Sequence, residues 1–514
     1  MRVQATLVSV AVLSVISAVN ISFADWPMFG GNPQRTGWAD NEKLLNKSNI
    51  GTLELKWKLK LENTPKELTS LAAPIVTDQV KTAHGIKEYV IVAGSSDNLS
   101  AIDADSGRLV WRKTFSVSGA PGRKPDTLCP YALNATPVVQ NGRPKVVYAI
   151  SSDGKLHALS VVDGEDRFPA KPFVPEFSKN WSLNLAGGVL YTPTSQRCNG
   201  TISAVYSMDL NAHDQPVRFF QAGRPGIWGR AGVTVSASGV VFAETGDGAF
   251  MPESGQYADT FLGLSPGDLK LRDYYTPANR EWVTRKDLDM GNMSPVLFPF
   301  NGKELLAGAG KEGRIFLLDA GSLGGETHRQ PLYRSPLLAN EEVNHAAHGF
   351  WGAFATWQDG EGARWLYAPA WGPPHSSIAF TFTNGDAPHG SIMAFRVELK
   401  NGSPELAPVW ISRDLGVPEP PVIANGLVFA LSSGEDVRQV DAAGNSLGTA
   451  ERVAGSGKAV LYAFDAATGK ELFNSGDTLN SFTHFGGLAL SNGRIFVTTW
   501  DGFVYAFGLK HEDR

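Results

Sequence analysis

Short apolar runs separated by Gly-, Asp- and Asn-rich turns recur from Leu71 to Leu509, and almost nowhere does the chain carry the 3.6-residue period of an amphipathic helix. The first complete unit sets the pattern. Ala72–Val80 and Glu88–Ala93 read as strands, followed by a turn at Ser95-Ser96-Asp97-Asn98 and a third strand, Leu99–Asp103. A turn at Asp105-Ser106-Gly107 then leads to Leu109-Val110-Trp111, giving four short strands joined by tight turns. The third strand returns at equivalent positions Ala101, Ala158, Ser207, Gly263, Leu317, Ala394, Ala463 and Ala506. Repetition every fifty residues or so, with four strands per unit, predicts an all-β chain folded as a single eight-bladed β-propeller. Two longer intervals place insertions, one at Arg334–Gly349 with Trp371–His389 and the other at Glu435–Lys458. Thr52–Lys60 alternates apolar and polar residues but has no neighbour to pair with, while the last unit ends at Leu509 just after its third strand. The N-terminal strand is therefore expected to complete the last blade, closing the ring and removing two exposed sheet edges.

Composition narrows the function classes. The 514 residues carry a net charge of −5, and 19% are charged, which points away from nucleic acid and from anionic membrane surfaces. Arg2, the apolar run Ala5–Ile21 and Ser22-Phe23-Ala24 read as a secretory signal cleaved after Ala24. Residues 1–24 are thus expected to be removed and 25–514 to form the propeller in the periplasm or outside the cell. No second apolar run reaches the roughly 18 residues of a membrane span. In an exported protein, the only two cysteines, Cys129 and Cys198, more often form a disulfide than stay free, and neither belongs to a haem-attachment motif.

Three polar clusters interrupt the strands between Gly239 and Asp319. They are Glu244-Thr245-Gly246-Asp247-Gly248, Lys286-Asp287-Leu288-Asp289 and Gly310-Lys311-Glu312-Gly313, each beside an apolar run (Gly239–Ala243, Ser294–Phe300, Arg314–Leu318). Placed at strand ends in neighbouring units, they can converge on one end of the ring. The histidines His345, His348, His375, His389 and His484 show no zinc spacing. Trp351, Trp357, Trp365 and Trp371 suit blade-to-blade core or ligand stacking. Gly372-Pro373-Pro374 marks a loop that can line an entrance. Nucleophile triads, phosphate loops and dinucleotide fingerprints are absent from the sequence.

The run Ala101-Ile102-Asp103-Ala104-Asp105-Ser106-Gly107-Arg108-Leu109-Val110-Trp111, repeated with Phe for Trp at Asp465–Phe473, resembles the tryptophan-docking repeat of quinoprotein alcohol dehydrogenases. Those are eight-bladed propellers holding pyrroloquinoline quinone and a metal ion, and cofactor-free assembly scaffolds of the outer membrane share the repeat. Val241–Gly248 resembles that family's metal-binding strand end, with Asp247 in place of its Asn. Lys286-Asp287-Leu288-Asp289 resembles its Trp-Asp-Tyr-Asp, and Lys311–Asp319 its Lys-Asn-Gly-Phe-Phe-Tyr-Val-Leu-Asp. The resemblance implies Asp287 as general base, Asp247 and Asp289 as ligands of Ca²⁺ or a lanthanide ion, and Lys311 as a quinone contact; for both Asp287 and Asp289 to reach one ion, their segment must be a loop. Trp351 stands in the family's Asn-Trp as Phe350-Trp351.

Departures accompany the match. Cys129-Pro130 replaces a vicinal cysteine pair, no acid lies between Tyr191 and Met208 where a metal-binding Glu is expected, and no aromatic residue stands at Ala231–Val233, where the floor tryptophan should be. Cys129 and Cys198 both map to the cofactor mouth and are expected to pair there, linking the second and third blades. The resemblance thus implies oxidation of an alcohol, polyol or polymer, with electrons passed to an external acceptor such as a cytochrome c. The alternative is a cofactor-free periplasmic scaffold.

Overall fold

The computed structural model describes residues 25–142, 144–224 and 226–510; the signal segment expected at 1–24 lies outside them. Eight sheets, each built on four antiparallel strands, follow one another around an axis; six have four strands, the third has five and the sixth has six, with Phe382–Thr383 added parallel to Ser403–Ile411. Blade 1 comprises Ile75–Thr82, Gly85–Gly94, Asn98–Asp103 and Leu109–Thr114, and the later blades repeat that order. The first strands of successive blades adjoin around the axis. Leu53–Lys60 pairs with Phe503–Leu509, from Leu53 opposite Leu509 to Lys60 opposite Phe503, and so completes blade 8 as expected.

Burial explains where alternation was legible. In a blade, the middle strands are covered on both faces, so Asn98–Asp103 and Leu427–Ser432 are buried throughout. The outer strands keep one wet face, and Leu109–Thr114 and Leu53–Lys60 alternate accordingly. The apolar core is distributed as seams between adjacent blades: Ile91, Ala101 and Trp111 of blade 1 pack with Val139, Val147 and Leu159 of blade 2, for example.

The docking repeat supplies the stitches. Trp111 Nε1 donates to Val161 O of the next blade at 2.8 Å, Trp57 to Ala104 O at 2.9 Å and Trp410 to Ala466 O at 2.8 Å. Each indole lies against a glycine (Gly164, Gly107 or Gly469) where a Cβ would come within 2.5–2.7 Å of the ring, and all three have positive φ. Aromatic surface and one hydrogen bond are thereby buried together at the ring's rim.

The opening segment, which reads only as irregular from its Asn and Gly content, makes a circuit of the axis. Trp26 exchanges backbone hydrogen bonds with Val76 of blade 1, and Pro27 O accepts from Val139 N of blade 2. Pro33 O accepts from Asn184 Nδ2 of blade 3 and Val235 N of blade 4. Gln34 O, Thr36 O and Gly37 O then take the amides of Leu297, Thr356 and Ile423 in blades 5, 6 and 7. Glu42 carboxylate accepts from Gly493 N in blade 8. Arg35, buried at the centre, donates to Phe29 O, Val233 O and Leu183 O. Two short helices, Arg280–Arg285 and Thr449–Gly455, lie in connections.

Candidate functional site

Connections between second and third strands, and from each blade to the next, meet at one end of the ring and enclose a cavity of about 310 Å³. Asp247, Asp287, Asp289 and Lys311 occupy one wall; Lys179, Glu435, Arg452 and His484 occupy another; Trp181, Trp228, Trp351, Trp371 and Phe485 fill between them.

Asp287 and Asp289 follow the helix Arg280–Arg285 in a loop, as their joint use requires. Asp287 takes φ +54, a left-handed conformation that Asp tolerates. Leu288 between them is buried, its amide bonded to Val283 O, so the two acids face the cavity. Lys311 reaches the same point from the next blade, its amide 3.1 Å from Asp289 O. Gly310 permits this approach, because a Cβ there would lie 2.6 Å from Asp289 O.

Lys311 Nζ sits 2.9 Å from Asp287 Oδ1 and 2.7 Å from Asp289 Oδ2. Burial pulls the ammonium pKa down, but Asp289 and Asp287 outweigh it and hold it above the ordinary lysine value. Burial lifts the Asp289 carboxyl to about 6 against the opposing pull of Lys311. Asp247 is raised by partial burial and by the Asp287 charge. Beneath them burial pushes Asp259, which accepts from Thr284 Oγ1, up to about 7. Fully buried Glu244 lies well above the usual carboxylate range. Asp247, Asp287 and Asp289 each present an oxygen within 4.8 Å of the others, and the buried Asp289 Oδ1 has no hydrogen-bond partner among the described residues. That donor set fits a hard cation with oxygen ligands.

The aromatic walls fit a planar ligand. Trp351 and Trp371 stack with centroids 4.3 Å apart and 6° between planes, and Trp228 meets Trp351 edge-on at 5.4 Å. Lys311 Nζ lies 5.2 Å from the Trp228 ring and 5.6 Å from Trp351. Beneath, the Arg230 guanidinium packs 4.5 Å from Phe485 and pairs with Glu419, both charges fully enclosed. Trp228 and Gln196 reach the cavity from near where the resemblance looks for a floor tryptophan and an acid.

Cys129 and Cys198 form a disulfide joining the loop that enters blade 2 to one in blade 3. Its sulfurs pack with Tyr131 and Phe177, while the neighbouring Thr127 and Leu128 provide the cavity lining. Trp357 and Trp365 join the seam between blades 6 and 7, and His345, His348, His375 and His389 stay out of the lining.

The second polar wall escaped the sequence reading. Glu435 accepts from Arg452 Nη2 at 2.7 Å and contacts His484 Nδ1 at 2.9 Å. Burial works against its charge, yet His484, Arg452 and Arg230 hold its pKa below the usual value. A signal existed. Gly434-Glu435 closes a second strand in the same way as Gly246-Asp247 and Gly310-Lys311.

Residues 36–210 match a family model described as outer membrane protein assembly factor BamB. A 112-residue stretch is 34% identical to outer membrane protein assembly factor BamB of Yersinia pestis, spanning 22% of this chain and only 24% of that protein. Among solved structures, a quinohemoprotein alcohol dehydrogenase from Pseudomonas putida HK5 superposes with TM-score 0.59 at 13% identity, covering 96% of this chain and 81% of the other. One from Comamonas testosteroni gives 0.55 at 14%, again covering 96% and 81%. A europium-containing methanol dehydrogenase gives 0.61 at 14%, covering 95% and 98%. The chain is an eight-bladed propeller built on the PQQ-type repeat, with the fold of the quinoprotein alcohol and methanol dehydrogenases.

Proposed function

We propose that this is an exported quinone-dependent oxidoreductase that oxidises an alcohol or polyol, small or polymeric, and passes electrons to an external acceptor such as a cytochrome c. The observation that carries this reading is the convergence of Asp247, Asp287, Asp289 and Lys311 on one aromatic-walled cavity. Pyrroloquinoline quinone, when bound, supplies a two-electron acceptor, and Ca²⁺ or a lanthanide ion a Lewis acid. Asp247 and Asp289 would hold the ion. Asp287, at the exposed rim, accepts the substrate hydroxyl proton. The Lys311 ammonium stabilises negative charge growing on an oxygen placed beside it. Trp228, Trp351 and Trp371 orient a flat ligand and exclude water.

Titrating the purified chain with the quinone plus Ca²⁺ or La³⁺ is expected to produce a bound-quinone absorption band; none at high micromolar quinone with either ion would overturn the reading. Asp287→Asn is expected to retain the band and lose dye-linked alcohol oxidation by at least 100-fold, on the order of the general-base contribution. Unchanged turnover would clear Asp287 of that role.

The match of residues 36–210 to an assembly-factor model favours a second reading, a cofactor-free periplasmic scaffold. Failure of quinone binding would select it, provided the chain also captures an unfolded outer-membrane barrel protein.

A further inference from the structure

The cavity wall opposite the acids contains a cation without a counter-charge. Lys179 opens blade 3, its backbone paired with Ser195. Its side chain lines the cavity, and only 6% of the residue is exposed. The ammonium lies 5.3 Å from the Trp181 ring, and among the described residues its charge is met only by the longer-range pull of Asp126 and Glu435. Lys311, equally enclosed, has two carboxylates.

Neighbours do not fill this gap. Glu435, on that wall, is committed to Arg452 and His484. Asp126 and Glu435 act on Lys179 only from a distance, and Arg452 opposes them. An unpaired buried ammonium costs several kcal/mol, a cost a bound anion removes. The cavity lining therefore holds three carboxylates gathered about Lys311 and, in a separate group, Lys179 beside Trp181 with no ion pair of its own.

We propose that Lys179 is the centre of an anion subsite that takes a carboxylate of the ligand, with Arg452 and Gln439 at its edge. The subsite rests on reading the cavity as a ligand site, and two carriers of the same chemistry fit it: a carboxylated quinone, or a substrate that is itself a polyhydroxy acid. In either case the carboxylate lies over the Trp181 wall, and the opposite end of the ligand points at Asp287 and Lys311.

The test is binding, read by quenching of tryptophan fluorescence in the full chain at pH 7 and low salt. Wild type, Lys179→Met and Lys179→Arg are titrated with pyrroloquinoline quinone plus Ca²⁺ and, separately, with gluconate. Lys179→Met is expected to weaken the carboxylate ligand by roughly 10- to 100-fold, and Lys179→Arg to restore most of that loss. A loss confined to the quinone assigns the subsite to the cofactor; a loss confined to gluconate assigns it to the substrate. Wild type that binds gluconate but not the quinone, with gluconate lost in Lys179→Met, retains the subsite and removes the quinone reading. Equal affinities in wild type and Lys179→Met, or no binding of either probe to wild type, overturn the subsite.

A readout on the unaltered protein covers misfolding of the variants. Acetic anhydride labelling of Lys179, followed by peptide mass spectrometry, is expected to fall at least fivefold when the bound probe is present. Labelling that ignores a saturating probe overturns the proposal.

Discussion

At the scale of single residues, the acidic wall balances repulsion against a built-in cation. Three carboxylates within 4.8 Å of one another repel, and the Lys311 ammonium lies between two of them. Lys311→Met removes that charge and leaves Asp289 buried without a partner, which is expected to cost roughly 3–5 kcal/mol in urea unfolding. The vacated position favours a metal ion, so added La³⁺ is expected to raise the thermal midpoint of Lys311→Met more than that of wild type. Equal shifts would show that the ammonium and the ion do not compete. Asp247 and Lys311 were legible because a charged residue directly after glycine at a strand end leaves few structural uses for the charge, and Asp287 and Asp289 because Lys286-Asp287-Leu288-Asp289 resembles the family's Trp-Asp-Tyr-Asp. Lys179, Arg452 and His484 were not, since Lys179 lies in a two-residue strand, Arg452 in a seven-residue helix and His484 in a connection, all placed by the blades around them. Nothing local to Lys179-Asn180-Trp181 marks the lysine as unpaired.

At the scale of elements, blades are held by seams, and the seam between blades 1 and 8 carries a titratable group. Glu88 accepts from Ser491 Oγ and from Asn492 Nδ2 at 2.9 Å, with Arg494 3.9 Å away. Burial raises it to about 7, the hydrogen bonds only partly opposing the rise. A carboxyl raised above its unfolded value near 4.5 favours folding fully below that value, and the benefit disappears as pH rises through about 7. Glu88→Gln carries no such loss. The stability of the variant relative to wild type is therefore expected to increase by on the order of 3 kcal/mol between pH 4 and pH 8. Parallel curves for the two proteins would mean that Glu88 keeps its ordinary pKa. Strand positions themselves were readable within a few residues, since Gly and Asp turns bound each run; Ala72–Val80 forms at Ile75–Thr82 and Ser294–Phe300 divides into Met293–Ser294 and Val296–Phe300. Helix Thr449–Gly455 went unread because a seven-residue helix inside an insertion offers too few turns to display a period.

At the scale of the whole molecule, ring closure uses two devices, and only one is written in local sequence. The N-terminal strand Leu53–Lys60 could be matched to the vacant edge of the last blade by alternation and by counting strands. The circuit from Trp26 to Glu42 could not, because most of its hydrogen bonds to the blades join backbone groups and impose no side-chain pattern. Arg35 is the exception, a buried guanidinium that serves three carbonyls from the circuit itself and from blades 3 and 4. Replacing it with leucine leaves the Phe29 and Leu183 carbonyls without this donor, while Val233 O keeps Asn184 Nδ2, at about 1–3 kcal/mol for each that water cannot reach. The loss falls on the axis rather than on one seam, so it acts on every blade that the circuit touches. Arg35→Leu is therefore expected to lower stability by roughly 3–5 kcal/mol in urea and to speed hydrogen exchange of the circuit's acceptors' partners together, at Val139, Val235, Leu297, Thr356 and Ile423. Exchange that quickens only at Val235, beside the substitution, would reduce Arg35 to a local contact and leave Leu53–Lys60 as the sole fastening of the ring.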